Sequence, residues 1–299
     1  ENNFNNRPNL EERKKYLHIL SKEKNFEKFL FQQLKYNLPK IFFENYKENI
    51  SKIGSLFLPK NPKIIMTSID HHFNDLFKLY AAKNVLSGAK YFIFQHGGSY
   101  GTSDHLMAEK MDIRLSDKFF SWGWSGNKKV IPFFLQKKMF HNNVNNNFDE
   151  NKGLVVPIHE FYLCPGDVGS GRPRYKHEID KYIDTIHLFL KHVEQRIKNK
   201  SSVKFIENKD IRYVLNSLKH KHPKINFFKS RRDTNQLHKK FKITIETLNS
   251  TGFLESMHLN IPTILLINKN YFSIRNSAKS SFNELEKMKI LHYCPVEAA

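Results

Sequence analysis

Short apolar runs, each followed by a helical stretch, recur along this chain, and that alternation restricts it to an α/β fold. From Pro62 the pattern gives a strand at Lys63–Ser68, a helix around Phe73–Val85, then Gly88 and a second strand at Tyr91–Phe94. A further strand is expected at Lys118–Ser121. Strands so short and so apolar suit a parallel sheet covered on both faces.

The alternation resumes at Gly153–Ile158. A long helix follows, its face marked by Ile179, Tyr182, Ile183, Ile186, Leu190, Val193 and Ile197. Then come a strand at Val203–Ile206, a helix at Ile211–Leu218, a strand at Ile225–Phe228, a helix at Thr234–Lys240 and a strand at Lys242–Thr247. A helix from Thr251 and a strand at Pro262–Ile267 complete the series. Such an order predicts a doubly wound, Rossmann-like sheet with any ligand at the carboxyl ends of its strands. Between the two α/β stretches, residues 141–151 (HNNVNNNFDEN) are polar and Asn-rich, and read as a linker. The expected organisation is therefore an N-terminal α/β domain over 1–140, the linker, and a C-terminal Rossmann-like domain over 152–299.

Ahead of the first strand the chain is helical. Asn9 and Glu12 have capping-box spacing, and Phe26, Leu30 and Leu34 recur every four residues as a stripe expected to face a core. Leu38-Pro39 ends that helix. The sequence has no initiator Met and stops at Glu297–Ala299 just after a strand-like apolar run, so both ends read as cuts and an incomplete chain is expected.

No apolar run approaches the roughly 20 residues of a membrane span, and no secretory signal opens the chain. A cytoplasmic protein is expected, with peripheral contact to an anionic inner membrane compatible with its formal net charge of +20. Lys and Arg are spread through every segment rather than gathered in one run. No nucleic-acid motif accompanies them, and no nucleic-acid partner is expected. Two cysteines, Cys164 and Cys294, have neither metal-site spacing nor the number for a disulfide framework. His71 and His72 are adjacent, and adjacent side chains rarely converge on one ion, so no metal site is expected.

The strongest local signal follows the Tyr91–Phe94 strand: Gln95, His96, Gly97, Gly98, Ser99, Tyr100, Gly101, Thr102. Glycines let a backbone turn sharply against a ligand, and an imidazole there stands where parallel sheets place their chemistry. With an unperturbed pKa near 6.5, His96 suits accepting a proton from a sugar hydroxyl. Glu109 is a second acid/base candidate or a hydroxyl-orienting group. Gln95, Gly97, Gly98, Tyr100 and Gly101 are candidate acceptor contacts.

In the second domain the strand ending at Thr247 runs into Leu248, Asn249, Ser250, Thr251, Gly252, Phe253, Leu254 and Glu255. Hydroxyls and free amides at a helix start form an anion site, so Asn249, Ser250, Thr251 and Gly252 are candidates for a donor phosphate and Glu255 for ribose hydroxyls. Arg231, with Lys229 and Arg232, and Arg174, with Arg172, follow other strands and are candidates to neutralise the phosphates. There is no Walker loop, no GxGxxG fingerprint and no GxSxG elbow.

Three segments carry a resemblance: FQHGGSYGT (Phe94–Thr102), SDKFFSWGW (Ser116–Trp124) and NSTGFLESMHLNIPTILL (Asn249–Leu266). From about Leu38 onward the chain resembles the transferase family of bacterial surface-polysaccharide gene clusters. More distantly it is similar to the CDP-glycerol glycerophosphotransferases and to capsule sugar transferases that use CMP-activated acidic sugars. That resemblance implies a GT-B architecture of two Rossmann-like halves and a nucleotide-activated donor. It implies a saccharide or lipid-linked saccharide acceptor and no separate cofactor. It makes His96 the base and the Ser250-Thr251 turn the donor phosphate site. The expected activity is transfer of a sugar or polyol phosphate to a surface-polysaccharide acceptor. A noncatalytic basic protein that binds nucleic acid or another anionic polymer is the alternative.

Overall fold

The computed structural model describes residues 8–17, 25–135, 149, 151–158, 173, 175–206, 211–230, 240–270 and 272–299. The chain divides into two compact units, Glu1–Phe94 and Gln95–Ala299. The 141–151 linker, apart from Asp149 and Asn151, lies outside the described residues, as does the helix expected at Thr234–Lys240, apart from Lys240.

The first unit begins with helices α1 (Leu10–Leu17), α2 (Asn25–Asn37) and α3 (Tyr46–Ile53). Asn9 caps α1, accepting the Glu12 amide at 3.1 Å, and α2 stops before Pro39 as the proline requires. The apolar stripe of α2 differs from expectation: Phe26 is 69 % and Leu30 44 % exposed. What anchors this helix pair is polar instead. The buried Arg13 donates from Nη1 to the Lys35 carbonyl (2.7 Å) and from Nε and Nη2 to Glu44 (2.8 and 3.0 Å). The guanidinium holds the Glu44 carboxyl down to about 2. Four-residue spacing fixed the helix but not the side it buries. Strand β1 (Ile64–Thr67), short helix α4 (Asp70–Phe73), α5 (Asp75–Leu86) and β2 (Lys90–Phe94) then form the expected strand, helix, strand unit, β1 and β2 pairing in parallel from Ile64–Lys90 to Thr67–Ile93.

The second unit opens with α6 (Met107–Leu115) and the parallel pair β3 (Lys118–Trp122) and β4 (Val130–Phe133). Then follow β5 (Leu154–Ile158), α7 (Lys176–His192), α8 (Gln195–Lys198), β6 (Ser202–Phe205), α9 (Ile211–Lys221), β7 (Asn226–Lys229), β8 (Ile243–Glu246), α10 (Thr251–His258), β9 (Thr263–Leu266), α11 (Lys279–Lys287) and β10 (Leu291–His292). The helix expected to run through Ile197 is two: Val193 and Glu194 leave helical geometry, with ψ of 133° and 135°. Val193 drops into the core there, but Ile197 on α8 is exposed, so the buried apolar face expected to run through Ile197 ends at the break.

Six strands of this unit form one sheet in the order β10-β9-β8-β5-β6-β7, every neighbour parallel. Numbered from β5, that is 3-2-1-4-5-6, the doubly wound Rossmann order. Strands β5 to β7 build one half and β8 to β10 the other. One face packs Ile179, Tyr182, Ile183, Ile186 and Leu190 of α7 and Val214, Leu215 and Leu218 of α9 on Val156, Val203 and Ile245. Each such side chain, fully buried, contributes roughly 1.5–3 kcal/mol. A second cluster places Phe253 and Phe282 beside Leu265 and Leu291. The chain winds away from β5 in opposite directions, so β5 and β8 flank the point where strand order reverses, and their carboxyl ends are where a ligand fits.

Candidate functional site

The loop after β2 is built around Gln95, whose side chain is buried and wholly engaged. Its Oε1 accepts the Trp122 backbone amide and the Trp124 indole N–H, both at 2.8 Å, and its Nε2 donates to the Gly97 carbonyl at 2.7 Å. The Gln95 amide donates to the Phe120 carbonyl of β3. These bonds fix the direction in which His96 leaves the strand.

Tyr100 then folds back beneath the imidazole. Its ring stacks on Phe119 of β3 with 5.9 Å between centroids and 5° between planes, and meets the His96 ring edge-on at 5.2 Å. The phenol donates to Asp112 Oδ2 at 2.8 Å and lies 3.2 Å from His96 Nδ1. His96 Nδ1 and Asp112 Oδ2 are 3.9 Å apart, with the His96 side chain 24 % exposed and that of Asp112 fully buried. A partly accessible histidine backed by a buried carboxylate is a suitable arrangement for accepting a proton, because the carboxylate stabilises the imidazolium that results.

The second motif leaves β8 at the reversal point. Tyr182 and Thr247 share a hydroxyl hydrogen bond of 2.7 Å that pins the strand end on α7. Asn249 and Ser250 precede α10, yet neither caps it: Ser250 stands at the N-cap without a side-chain cap bond, and Asn249 Nδ2 donates instead to Thr102 Oγ1 at 2.8 Å. Ser99 Oγ donates to the Asn249 carbonyl at 2.9 Å. The two motifs therefore touch. A Cβ on Gly98 would stand 2.2 Å from the Ser250 carbonyl carbon and 2.4 Å from the Thr251 nitrogen, so only glycine permits this approach of two backbones. Asn249 Oδ1 and Ser250 Oγ are buried and have no hydrogen-bond partner among the described residues.

Below the first turn of α10 lies Glu246, fully buried at the end of β8. A Cβ on Gly252 would be 3.1 and 3.2 Å from its two carboxylate oxygens. Part of the positive field of the helix end is thus met by an acid inside the protein. Glu255 is buried one turn further on.

A third segment closes on the Gly-rich loop. Ser103 bridges Ile274 in antiparallel fashion, and the Arg275 amide donates to the Thr102 carbonyl at 2.8 Å. Arg275 Nη2 pairs with Glu109 Oε1 at 2.5 Å and also reaches the Ser103 carbonyl, while Glu109 Oε2 accepts the Gly101 amide at 2.7 Å. Both oxygens of Glu109 thus bind groups that shape the loop.

Of the residues singled out from sequence, His96, the Gln95–Gly101 loop, Glu109 and Asn249–Gly252 come together in this assembly. Gln95, Gly98, Tyr100 and Gly101 are buried within it, and Gly97 is half-buried. Arg174 and Arg231 lie outside the described residues. Sequence reading passed over Asp112, Arg275 and Glu246. Asp112 lies three residues after Glu109 and so shares its helix face, Arg275 follows β9 as Arg231 follows β7, and Glu246 is a charge within the apolar strand Ile243–Glu246. A separate histidine contact, His187 Nδ1 to His222 Nε2 at 3.0 Å, joins α7 to the residue after α9. Burial first, then Lys198 and other neighbouring charge, push His222 down to about 4. Burial and Lys221 lower His187 too.

The family model for the LIC12162 family transferases matches residues 1–299. The chain belongs to that family. It is an enzyme of the transferase class. No curated protein sequence matches this transferase. Among solved structures it is similar to the S. aureus MnaA–UDP co-structure, with TM-score 0.49 and 13 % identity over 85 % of this chain and 73 % of that one. It is also similar to WaaG, a glycosyltransferase involved in lipopolysaccharide biosynthesis, with TM-score 0.37, 11 % identity and coverage of 83 % and 72 %. An α,α-trehalose-phosphate synthase from Burkholderia vietnamiensis gives TM-score 0.41, 8 % identity and coverage of 94 % and 72 %. At these scores the fold of the transferase rests on its own strand order. No helix among the described residues is long and apolar enough to cross a membrane.

Proposed function

We propose that this transferase is a GT-B-type enzyme, with residues 1–140 as the acceptor-side half and 152–299 as the donor-side half. It moves a sugar or polyol phosphate from a nucleotide-activated donor to a saccharide or lipid-linked saccharide acceptor of a surface polysaccharide. The observation that carries this reading is the Thr247–Thr251 turn at the reversal point of a Rossmann sheet, hydrogen-bonded there to the loop that bears His96.

In this reading the donor phosphates bind beside Asn249–Gly252 and its ribose beside Glu255. Because Glu246 already occupies part of the helix-end field, the charge on the phosphates is met chiefly by side chains, with Arg174 and Arg231 the proposed cations. Gln95, Gly97, Gly98, Tyr100 and Gly101 shape the acceptor subsite. His96 takes the acceptor hydroxyl proton as the oxygen forms its bond to the donor's anomeric carbon or phosphorus. The bond from that atom to the nucleotide's phosphate oxygen breaks, and the nucleotide leaves with the electron pair. The donor is the only small molecule the proposal needs besides the acceptor.

A thermal-shift screen with CMP, CDP, UDP and GDP tests the donor site, and the expected result is a rise in Tm with one of them. Release of nucleotide from the corresponding activated donor then tests the base. His96→Ala on the full-length enzyme is expected to lose about 10²- to 10⁴-fold in turnover while donor affinity stays within a few fold. Normal turnover in a folded His96→Ala protein would remove His96 from the mechanism.

A further inference from the structure

A surface helix ordinarily turns its apolar stripe toward the core, and α6 does the reverse. Its two acids, Glu109 and Asp112, are buried and face Arg275 and the Tyr100 phenol. Met107, Met111 and Leu115 are 49, 50 and 56 % exposed. Spaced by four, they form one stripe. Lys110 and Arg114, also exposed and also four apart, run along the edge of that stripe, and no acid shares it. Past the helix the cations continue. Lys129 Nζ donates to the Ser116 and Arg114 carbonyls at 2.7 and 3.2 Å, which holds the exposed Lys128–Lys129 segment against the end of α6, and Lys118 Nζ reaches the Lys128 carbonyl at 3.3 Å. Asp117 is the only exposed acid in residues 105–130.

We propose that the exposed face of α6 docks on an anionic lipid bilayer, with Met107, Met111 and Leu115 entering the boundary between headgroups and acyl chains while Lys110, Arg114 and Lys118 meet lipid phosphates. Apolar side chains rimmed by Lys and Arg match such a surface. A second copy of this chain fits less well, because a two-fold contact would set Lys110 and Arg114 against the same cations of the partner. The area is also too small: a helix face about 14 Å long and roughly 10 Å wide is far short of the roughly 800 Å² that a stable dimer buries on each partner. The contact is interfacial, since nine residues are much too few to span a membrane. This inference goes beyond the catalytic reading and holds whether or not His96 is the base. The buried side of α6 bonds the loop that carries His96, through Glu109 to the Gly101 amide and Asp112 to Tyr100, so docking by the exposed side brings that loop to the lipid. A lipid-linked saccharide would be met there.

Co-sedimentation of the full-length protein with vesicles of equal parts phosphatidylcholine and phosphatidylglycerol tests the proposal. Because a formal charge of +20 draws a protein to anionic lipid by itself, the variants must separate place from charge. Lys110→Glu with Arg114→Glu is expected to lower vesicle partitioning at least about tenfold, and Lys181→Glu with Lys191→Glu, the same charge change at exposed positions of α7, by less than about threefold. Met111→Ser with Leu115→Ser leaves the charge untouched and should cost about tenfold. Met111→Trp should add a fluorescence component, absent from the wild type, that moves to shorter wavelength with these vesicles and not with phosphatidylcholine alone. Equal losses from the α6 and α7 charge pairs would mean attraction by net charge only and overturn the proposal. So would full binding by a folded Met111→Ser, Leu115→Ser protein, or no binding by the wild type. A wild-type dimer in sedimentation velocity without lipid, made monomeric by Met111→Ser with Leu115→Ser, would give this face to a second copy instead.

Discussion

The Gly-rich loop and the turn before α10 meet back to back, yet they treat their polar atoms in opposite ways. In the loop, Gln95 uses both side-chain heads, Ser99 Oγ and the Tyr100 phenol each donate, and Thr102 Oγ1 both donates to the Ser99 carbonyl and accepts from Asn249. In the turn, Asn249 Oδ1 and Ser250 Oγ are buried with no partner among the described residues. Buried polar groups that are paired hold a shape, whereas those that are not cost stability and are kept where binding needs them. In the proposed reading the loop is the scaffold of the site and the turn its recognition element.

The largest test of that division is at the contact itself. Gly98→Ala would drive a methyl group into the Ser250 and Thr251 backbone, and neither strand end can retreat without breaking the Ser99–Asn249 and Asn249–Thr102 bonds. A loss of about 3 kcal/mol is expected in urea unfolding. A loss below about 0.5 kcal/mol would mean that the two segments separate freely and the scaffold is not one body.

Arg275→Ala probes the same scaffold from its third side. It strands the Glu109 carboxylate, which is only 5 % exposed, although the Arg275 side chain at 24 % exposure leaves water some access. Removing one partner of a fully buried pair costs roughly 3–5 kcal/mol, and discounting for that access gives about 2 kcal/mol. Because Glu109 also binds the Gly101 amide, the double variant Arg275→Ala with Glu109→Gln should recover part of the loss. No recovery would show that Arg275 acts through the Ser103 and Thr102 contacts rather than through the acid.

How far the sequence discloses this arrangement depends on range. The strands of the Rossmann sheet were legible because each apolar run is local, and the alternation of strand and helix gave a parallel, doubly wound sheet but not its strand order. His96 and Ser250 stood out because glycine, hydroxyl and amide residues cluster after strands. That α2 leaves Phe26 and Leu30 exposed was not legible, since their period is the same whichever way the helix turns. Asp112 and Arg275 were missed for another reason: their roles arise from partners 12 and 166 residues away, and no local pattern marks them.

Ser250→Ala has the smallest expected effect on stability and separates the two motifs most sharply. A buried hydroxyl without a partner costs the folded state its desolvation, so deleting it should raise stability by about 0.5–1 kcal/mol, whereas Ser99→Ala, which removes a made bond, should lower it by about 1 kcal/mol. If Ser250 Oγ instead serves the bound donor, the same Ser250→Ala protein should bind the nucleotide found by thermal shift about tenfold more weakly, which corresponds to about 1.4 kcal/mol. Titration calorimetry and urea unfolding on one preparation read both numbers. Opposite signs, with firmer folding and weaker binding, are what a recognition element gives. A destabilised protein with unchanged nucleotide affinity would place Ser250 with the scaffold and leave Asn249 Oδ1 as the remaining recognition atom of the turn.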